Sequence, residues 1–215
     1  MKLIVLLPPS EGKTDGGTGK PFSELHPVTL ELLGRIAKSD PEKLYSARKQ
    51  EAEKLNAAVQ KAPTMPAIER YSGVVYDALS YETLENKKWI EEHVRIVSGL
   101  FGLVTPKQLI PNYKLPITKL SAAKLWLPHQ HLKDYFVIDL LPKAHKKAVS
   151  YDEGVEIEFT RMRNGKTVSA GHAGKTIKGK FVRWMAEHNI SEVDDMYAFA
   201  EDGYSWNGKS FHKNK

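Results

Sequence analysis

The chain has 215 residues, 41% of them hydrophobic, and a formal net charge of +6. This size and composition suit a globular protein with a buried core, and we expect residues 1–215 to form one domain. The sequence contains no cysteine and no long apolar run, which excludes disulfides, thiolate chemistry, cysteine-ligated metals and a membrane-spanning helix.

The first part of the chain predicts one buried strand followed by helices. Residues 3–7 are continuously apolar and end at a proline pair, as expected of a buried strand. A glycine-rich loop follows at 15–20. The apolar spacing then predicts an amphipathic helix over 28–37, a restart at 39–41, and a further helix from about Ala47 to Lys61.

The segment from 94 to 115 predicts a helical piece on each side of a glycine hairpin, although residues 94–97 could also be a strand. An apolar run breaks at Ser98, Gly99 and Gly102 enclose the turn, and Thr105-Pro106 has the composition of a helix start. Glycines in such a hairpin leave backbone N–H groups open to a phosphate. We therefore predict a helix-hairpin-helix element here.

The last part of the chain mixes strands and helices without regular alternation. Residues 135–141 form an apolar run typical of a central strand, and a hairpin is predicted from 155–162 and 166–171 around Asn164-Gly165. A helix is predicted over 176–188. This pattern indicates an α+β fold, with a mixed sheet flanked by helices.

The positive charge is concentrated in one stretch. From Pro106 to Arg183 there are 15 Lys and Arg against 6 Asp and Glu, whereas the rest has 17 basic and 20 acidic residues. Such an excess of basic residues is typical of a surface that binds phosphates, although an ordinary solvated surface can have the same composition. The candidate phosphate-binding residues are Ser10, Lys13, Gly99, Gly102, Lys107, Lys114, Lys143, Lys146, Lys175, Lys178 and Arg183.

Two Gly-Lys-Thr triplets, at 12–14 and 174–176, do not form ATP-binding loops. Such a loop needs a glycine five residues before the Gly-Lys pair, and these positions hold Leu7 and Ser169. Each triplet can still offer a lysine and backbone N–H groups to a phosphate, or be an exposed turn.

An acid–base site is an open alternative. Glu11, Tyr76 and His172 could compose one if the fold brings them together. His129 and His131 have metal-ligand spacing, but no acidic cluster completes a site. The sequence therefore predicts no metal site and no cofactor.

Several of these motifs together resemble the YaaA family of peroxide stress proteins. The resemblance rests on residues 8–14 (PPSEGKT), on 71–79, on the block 97–106 (VSGLFGLVTP) with Tyr113-Lys114-Leu115, and on Asp139-Leu140 and 172–183. It implies a YaaA-like fold with a helix-hairpin-helix element and a basic cleft, with the hairpin at Gly99 and Gly102. The implied cleft lysines are Lys13, Lys114, Lys175 and Lys178.

The resemblance also implies a function. The family implies a cytoplasmic DNA-binding protein of the oxidative stress response that limits unincorporated iron, with no established enzymatic reaction. We expect non-sequence-specific contacts to DNA phosphates and no membrane partner. One alternative is an enzyme that acts on a nucleotide or another phosphorylated small molecule in the same cleft, and another is a protein-interaction module whose charge is incidental.

Overall fold

The structure, a computed structural model, describes residues 1–45 and 49–213. It is a mixed α and β fold in which a mixed sheet is flanked by helices. The strands are β1 Lys2–Leu7, β2 Met65–Pro66, β3 Val94–Ser98, β4 Gly102–Val104, β5 Leu109–Ile110, β6 His131–Asp139, β7 Ser150–Glu156, β8 Phe159–Arg163, β9 Lys166–Ser169, β10 Ala200–Glu201, β11 Tyr204–Trp206 and β12 Phe211–Lys213. The α-helices are α1 Pro27–Ala37, α2 Pro41–Leu44, α3 Lys49–Ala58, α4 Ala67–Arg70, α5 Val74–Leu79, α6 Lys87–His93, α7 Ala122–Trp126, α8 Lys143–Lys146 and α9 His172–Glu187.

Strand β1 lies at the centre of the first sheet, which has the order β4-β3-β1-β6-β7. It runs parallel to β3 on one side and to β6 on the other. Its residues 3–7 are buried, as a continuous apolar strand covered on both faces requires. Strand β7 continues the parallel arrangement beside β6, and β4 returns antiparallel to β3.

The second sheet has the order β10-β11-β12-β8-β9 and packs against α9. Phe181 on α9 contacts the rings of Phe159, Phe199 and Phe211, so this sheet buries an aromatic core. The other side of α9 packs on α5. Helix α9 therefore joins the second sheet to the helices beside the first.

Several sequence predictions are confirmed. The first strand, the helix beginning near residue 28 and the central strand ending near 140 appear as β1, α1 and β6. The predicted late helix is α9, which begins four residues earlier, at His172. The predicted start of α3 at Ala47 lies outside the described residues.

The helix-hairpin-helix prediction is wrong for residues 94–115. This segment is a β-hairpin, because Val94, Ile96 and Val97 are β-branched and pair with β1 and β4. Thr105-Pro106 does not begin a helix. The chain instead turns at 106–107 into the short strand β5, and prolines at 111 and 116 oppose helix in the stretch that follows.

The predicted hairpin around Asn164-Gly165 is correct at its turn and wrong at its start. Both turn residues have positive φ, 51° and 72°, as a type I′ turn requires. Strands β8 and β9 pair across it, from Arg163 and Lys166 outward. Residues 155–156, however, end β7 in the first sheet, because the chain crosses between sheets before Phe159.

Candidate functional site

A cleft of about 760 Å³ opens beside the carboxyl ends of β1 and β6. It is lined by residues 9–13, which follow β1, by 42–45 and 113–119, and by Ala52 and His145. The chain places β3 on one side of β1 and the later β6 on the other, so the strand order reverses between β1 and β6. Ligands of open parallel sheets bind at such a switch point, outside the carboxyl ends of the strands.

The Lys13 ammonium contacts uncharged groups, a carbonyl oxygen and two aromatic rings. Its Nζ donates to the Ser10 carbonyl oxygen at 2.9 Å and lies over the Tyr113 and Tyr71 rings, 4.3 and 5.4 Å from their centroids. Burial, together with the charges of Lys114 and Arg70, lowers the pKa of Lys13 to about 7, and the Glu11 carboxylate opposes this shift. Lys13 is therefore partly unprotonated near neutral pH.

A chain of buried hydroxyl groups supports the aromatic wall beneath Lys13. The Tyr113 hydroxyl lies 2.7 Å from Ser98 Oγ and 2.8 Å from the Tyr71 hydroxyl. Ser98 Oγ also accepts from the backbone N–H groups of Leu100 and Phe101, so its own proton goes to Tyr113, which then donates to Tyr71. Burial raises the pKa of Tyr113 to about 12, so the chain stays protonated.

Arg70 holds the glycine-rich loop beside the cleft. Its side chain is fully buried and donates to the carbonyl oxygens of Thr14, Gly16, Pro63 and Ile110. A buried guanidinium satisfied by carbonyl groups fixes backbone geometry. The glycine-rich loop that follows Lys13 is therefore anchored by Arg70, although its composition alone predicts a mobile loop.

Three of the four described lysines that line the cleft, Lys13, Lys114 and Lys119, bind backbone oxygens. Lys114 Nζ donates to the Glu11 carbonyl at 2.8 Å, and Lys119 Nζ donates to the Lys43 carbonyl at 2.9 Å. Among the described residues that line the cleft there are four lysines and two glutamates. One of the glutamates, Glu42, pairs with Lys49 outside the cleft at 2.7 Å. The lining therefore carries more positive than negative charge.

A second charged group lies at the end of β6, which we call the Asp139 cluster: Asp139, Lys146, Tyr151, Glu156 and Lys178. The buried Asp139 carboxylate accepts from the Leu141 N–H at 2.7 Å and from the Tyr151 hydroxyl at 3.1 Å. Lys146 lies 3.4 Å from Asp139 and 2.5 Å from Glu156. Lys178 Nζ donates to the Leu140 carbonyl at 2.6 Å. These groups neutralise one another within the protein.

Apart from Gly99 and Gly102, the predicted phosphate-binding residues fall into three sets in the structure. Ser10, Lys13 and Lys114 line the cleft. Lys146 and Lys178 belong to the Asp139 cluster, and the exposed Lys143 and Lys175 lie on the same helices, α8 and α9. Lys107 and Arg183 are engaged elsewhere, Lys107 with Glu91 at 2.9 Å and Arg183 with Glu187 and the carbonyls of Leu79 and Ser80.

Gly99 and Gly102 are buried, so the structure does not present them to a phosphate. A Cβ on Gly99 would overlap the Leu115 carbonyl, and Gly102 has φ 66° and packs against Trp126. Both positions thus need glycine for close packing and turn geometry. The glycines are therefore required, but because Leu115 and Trp126 pack closely against the β-hairpin and not because a phosphate binds there.

The predicted acid–base trio does not meet in the cleft. Glu11 lies at the cleft, but Tyr76 is buried and donates to the Pro8 carbonyl at 2.8 Å. His172 is exposed at the start of α9, and the histidine of the lining is His145 instead. Burial lowers the pKa of His145 to about 4, so its imidazole is neutral near pH 7.

Sequence reasoning missed Ser98, Arg70, Tyr71, Tyr113 and His145. Their roles depend on partners that are distant in the chain, such as Tyr71 and Tyr113, which are 42 residues apart. The one local signal was the Tyr-Lys pair at 113–114. Within residues 1–45 and 49–213, no group of three or more His, Asp or Glu could hold a metal ion. No helix in this described part is long and apolar enough to cross a membrane.

Comparison with known proteins identifies relatives over nearly the whole chain. The family described as "Peroxide stress protein YaaA" matches residues 3–210. A UPF0246 protein of Corynebacterium glutamicum strain R is 32% identical over 93% of this chain and 92% of its own length. A UPF0246 protein of Lactobacillus delbrueckii subsp. bulgaricus is 28% identical over 94% of this chain and 93% of its own.

Proposed function

The chain belongs to the peroxide stress protein YaaA family, and from that premise we propose that it binds DNA phosphates in the cleft beside the carboxyl ends of β1 and β6. It does so in the cytoplasm during peroxide stress, without sequence preference. The observation that carries this proposal is the position of the cleft lysines. They lie at the switch point of a parallel sheet, and Lys13, Lys114 and Lys119 bind backbone carbonyl oxygens there.

Phosphate suits these lysines because each ammonium keeps hydrogen-bond donors beyond the one that it gives to a carbonyl. A carbonyl oxygen does not cancel the charge of an ammonium, whereas a carboxylate does. Phosphate therefore gains both a charge partner and a donor at Lys114 and Lys119, and at Lys13 when its amine is protonated. Contacts of this kind position a nucleic acid but do not read its bases, which accounts for binding without sequence preference.

The proposed link to unincorporated iron is protection of the DNA strand from iron on its backbone, not a smaller amount of iron. The described residues offer no cluster for a metal ion. A protein that neutralises DNA phosphates releases the cations held there, and released cations would include iron bound along the backbone. Peroxide reacts with iron wherever the iron is bound, so removing it from DNA would limit oxidative damage to the strand.

The test is a salt titration of binding to a short duplex, with a mononucleotide as competitor. We expect the logarithm of the affinity to fall with the logarithm of salt concentration by about 0.9 for each phosphate neutralised. A mononucleotide at micromolar concentration should leave the affinity for the duplex unchanged. A flat salt dependence would overturn the proposal. In cells that lack the protein, Lys114→Met should restore peroxide survival less well than the matched variant Lys2→Met.

A second candidate function is an enzyme that acts on a nucleotide or another phosphorylated small molecule. The size of the cleft favours it, because about 760 Å³ lies within the range of small-molecule sites. The partly unprotonated Lys13 would supply a base or nucleophile. Weak duplex binding that a mononucleotide displaces would support this function instead of DNA binding.

A further inference from the structure

Lys13 differs from the exposed lysines of the chain in what surrounds its amine. The backbone carbonyl of Ser10 and the rings of Tyr113 and Tyr71 contact it. No described carboxylate lies within ion-pair distance of its Nζ. Lys13 is nevertheless one of the residues that line the open cleft.

The charged and titratable groups around Lys13 keep it reactive near neutral pH. Lys114 and Arg70 repel its positive charge, Glu11 attracts it, and the tyrosines beneath it stay protonated because burial raises the pKa of Tyr71 and Tyr113. Burial, together with the net effect of these charges, lowers the pKa of Lys13 to about 7. An unprotonated lysine amine in such a place is a nucleophile toward carbonyl carbon.

We propose that Lys13 forms an imine with the aldehyde of a deoxyribose phosphate bound in the cleft. The Nζ lone pair attacks the aldehyde carbon, a C–N bond forms as the C=O π bond breaks, and one of the two amine protons passes to the carbonyl oxygen. The two amine protons and the carbonyl oxygen then leave as water, which leaves a C=N bond. The proposal rests on the proposed function, since it uses the same cleft to hold the phosphate.

The cleft supports this chemistry because its phosphate-binding cations lie beside the nucleophile. Lys114 is adjacent to Tyr113, whose ring lies under the Lys13 amine, and Lys43 and Lys119 line the same cleft. A phosphate held by these lysines would place the aldehyde of the same sugar in the cleft that Lys13 lines. Two sources carry this group: an abasic site in DNA, where the opened deoxyribose lies between phosphates, and free 2-deoxyribose 5-phosphate.

The experiment traps the imine by reduction. The full chain is incubated at pH 7.5 with 2-deoxyribose 5-phosphate and cyanoborohydride, which supplies hydride and converts the imine to a stable secondary amine. Mass spectrometry of peptides then measures the adduct at each lysine. We expect at least about tenfold more adduct at Lys13 than at the exposed Lys175, because an ordinary lysine is almost fully protonated at this pH.

Three comparisons sharpen the result. 2-Deoxyribose without phosphate should give several-fold less adduct at Lys13, since nothing then holds the sugar in the cleft. Lys13→Arg keeps the positive charge and should lose the Lys13 adduct, whereas the matched variant Lys175→Arg should keep it. An abasic duplex that is trapped more efficiently than the free sugar phosphate identifies DNA as the source, and the reverse order identifies a small molecule.

An adduct spread evenly over the exposed lysines would overturn the proposal, as would a total yield unchanged by Lys13→Arg. If Lys13→Arg does not fold, the pH profile of trinitrobenzenesulfonate labelling at Lys13 in the unaltered chain gives the answer. A midpoint near 7 supports the proposal, and a midpoint near 10 overturns it. Duplex binding without any adduct would overturn the imine but leave DNA binding intact, and an adduct without duplex binding would overturn DNA binding alone.

Discussion

The cleft and the Asp139 cluster lie at neighbouring strand ends of one sheet, yet they use their lysines in opposite ways. In the cleft, Lys13 and Lys114 donate to backbone carbonyl oxygens. In the Asp139 cluster, Lys146 lies between the carboxylates of Asp139 and Glu156. A lysine paired with carboxylates stabilises the fold, whereas Lys114, bound only to a carbonyl oxygen, keeps its charge for a ligand. Local basic composition therefore does not identify a binding surface by itself.

The largest expected effect is on the Asp139 cluster. Asp139→Ala leaves Lys146, the Leu141 N–H and the Tyr151 hydroxyl without their buried acceptor. We expect the free energy of unfolding in urea to fall by about 3 kcal/mol. Asp152→Ala removes an exposed carboxylate beside His131 and should cost less than about 0.5 kcal/mol. Equal losses in the two variants would show that the cluster does not stabilise the fold.

A smaller loss of stability is expected in the wall of the cleft. Ser98→Ala removes the acceptor of two backbone N–H groups and the donor to Tyr113. Urea unfolding should show a loss of about 2 kcal/mol, against no measurable change for the exposed control Ser191→Ala. Because the hydroxyl chain is neutral, the loss should be the same at pH 5 and pH 8. A loss that varies strongly between these pH values would contradict a neutral wall.

Lys13 should make stability depend on pH in the neutral to alkaline range. Its pKa in the folded state is about 7, below the ordinary value of 10.5, so the unfolded chain binds more protons between these values. Stability due to this group therefore rises with pH from about 7 to 10.5. Relative to Lys13→Met, the unaltered chain should gain stability over this range. The exposed control Lys124→Met should show the same dependence of stability on pH as the unaltered chain. If the stability difference between Lys13→Met and the unaltered chain stays constant with pH, the pKa of Lys13 is not lowered in the folded state.

His145 should have a smaller effect at acid pH. Its pKa in the folded state is about 4, below the ordinary 6.5, so the unfolded chain binds more protons between pH 4 and 6.5. Stability due to this group is therefore lost as the pH falls through that range. His145→Leu should flatten the acid decline in unfolding measurements, and His172→Leu, which changes an exposed histidine, should not. If stability declines equally at acid pH in the unaltered chain and in both variants, the His145 imidazole is exposed to solvent.

The sequence allowed some of these features to be predicted and not others. Strand β1 and the turn at Asn164-Gly165 follow from local pattern, because a continuous apolar run and two left-handed turn residues have few alternative structures. The apolar segment around Gly99 fits either a helix or a strand, and only its pairing with β1 decides between them. Lys13 was predictable from its loop, but the aromatic rings that desolvate it come from residues far along the chain.

The central claim is that phosphates bind in the cleft at the ends of β1 and β6. Its most direct test is the salt dependence of duplex affinity for the unaltered chain, Lys114→Met and Lys2→Met, since Lys2 is exposed at the opposite end of β1. We predict that removing Lys114 lowers the slope of log affinity against log salt by about 0.9, and that removing Lys2 leaves it unchanged. Equal slopes in all three chains, or the same decrease in both variants, would contradict the claim.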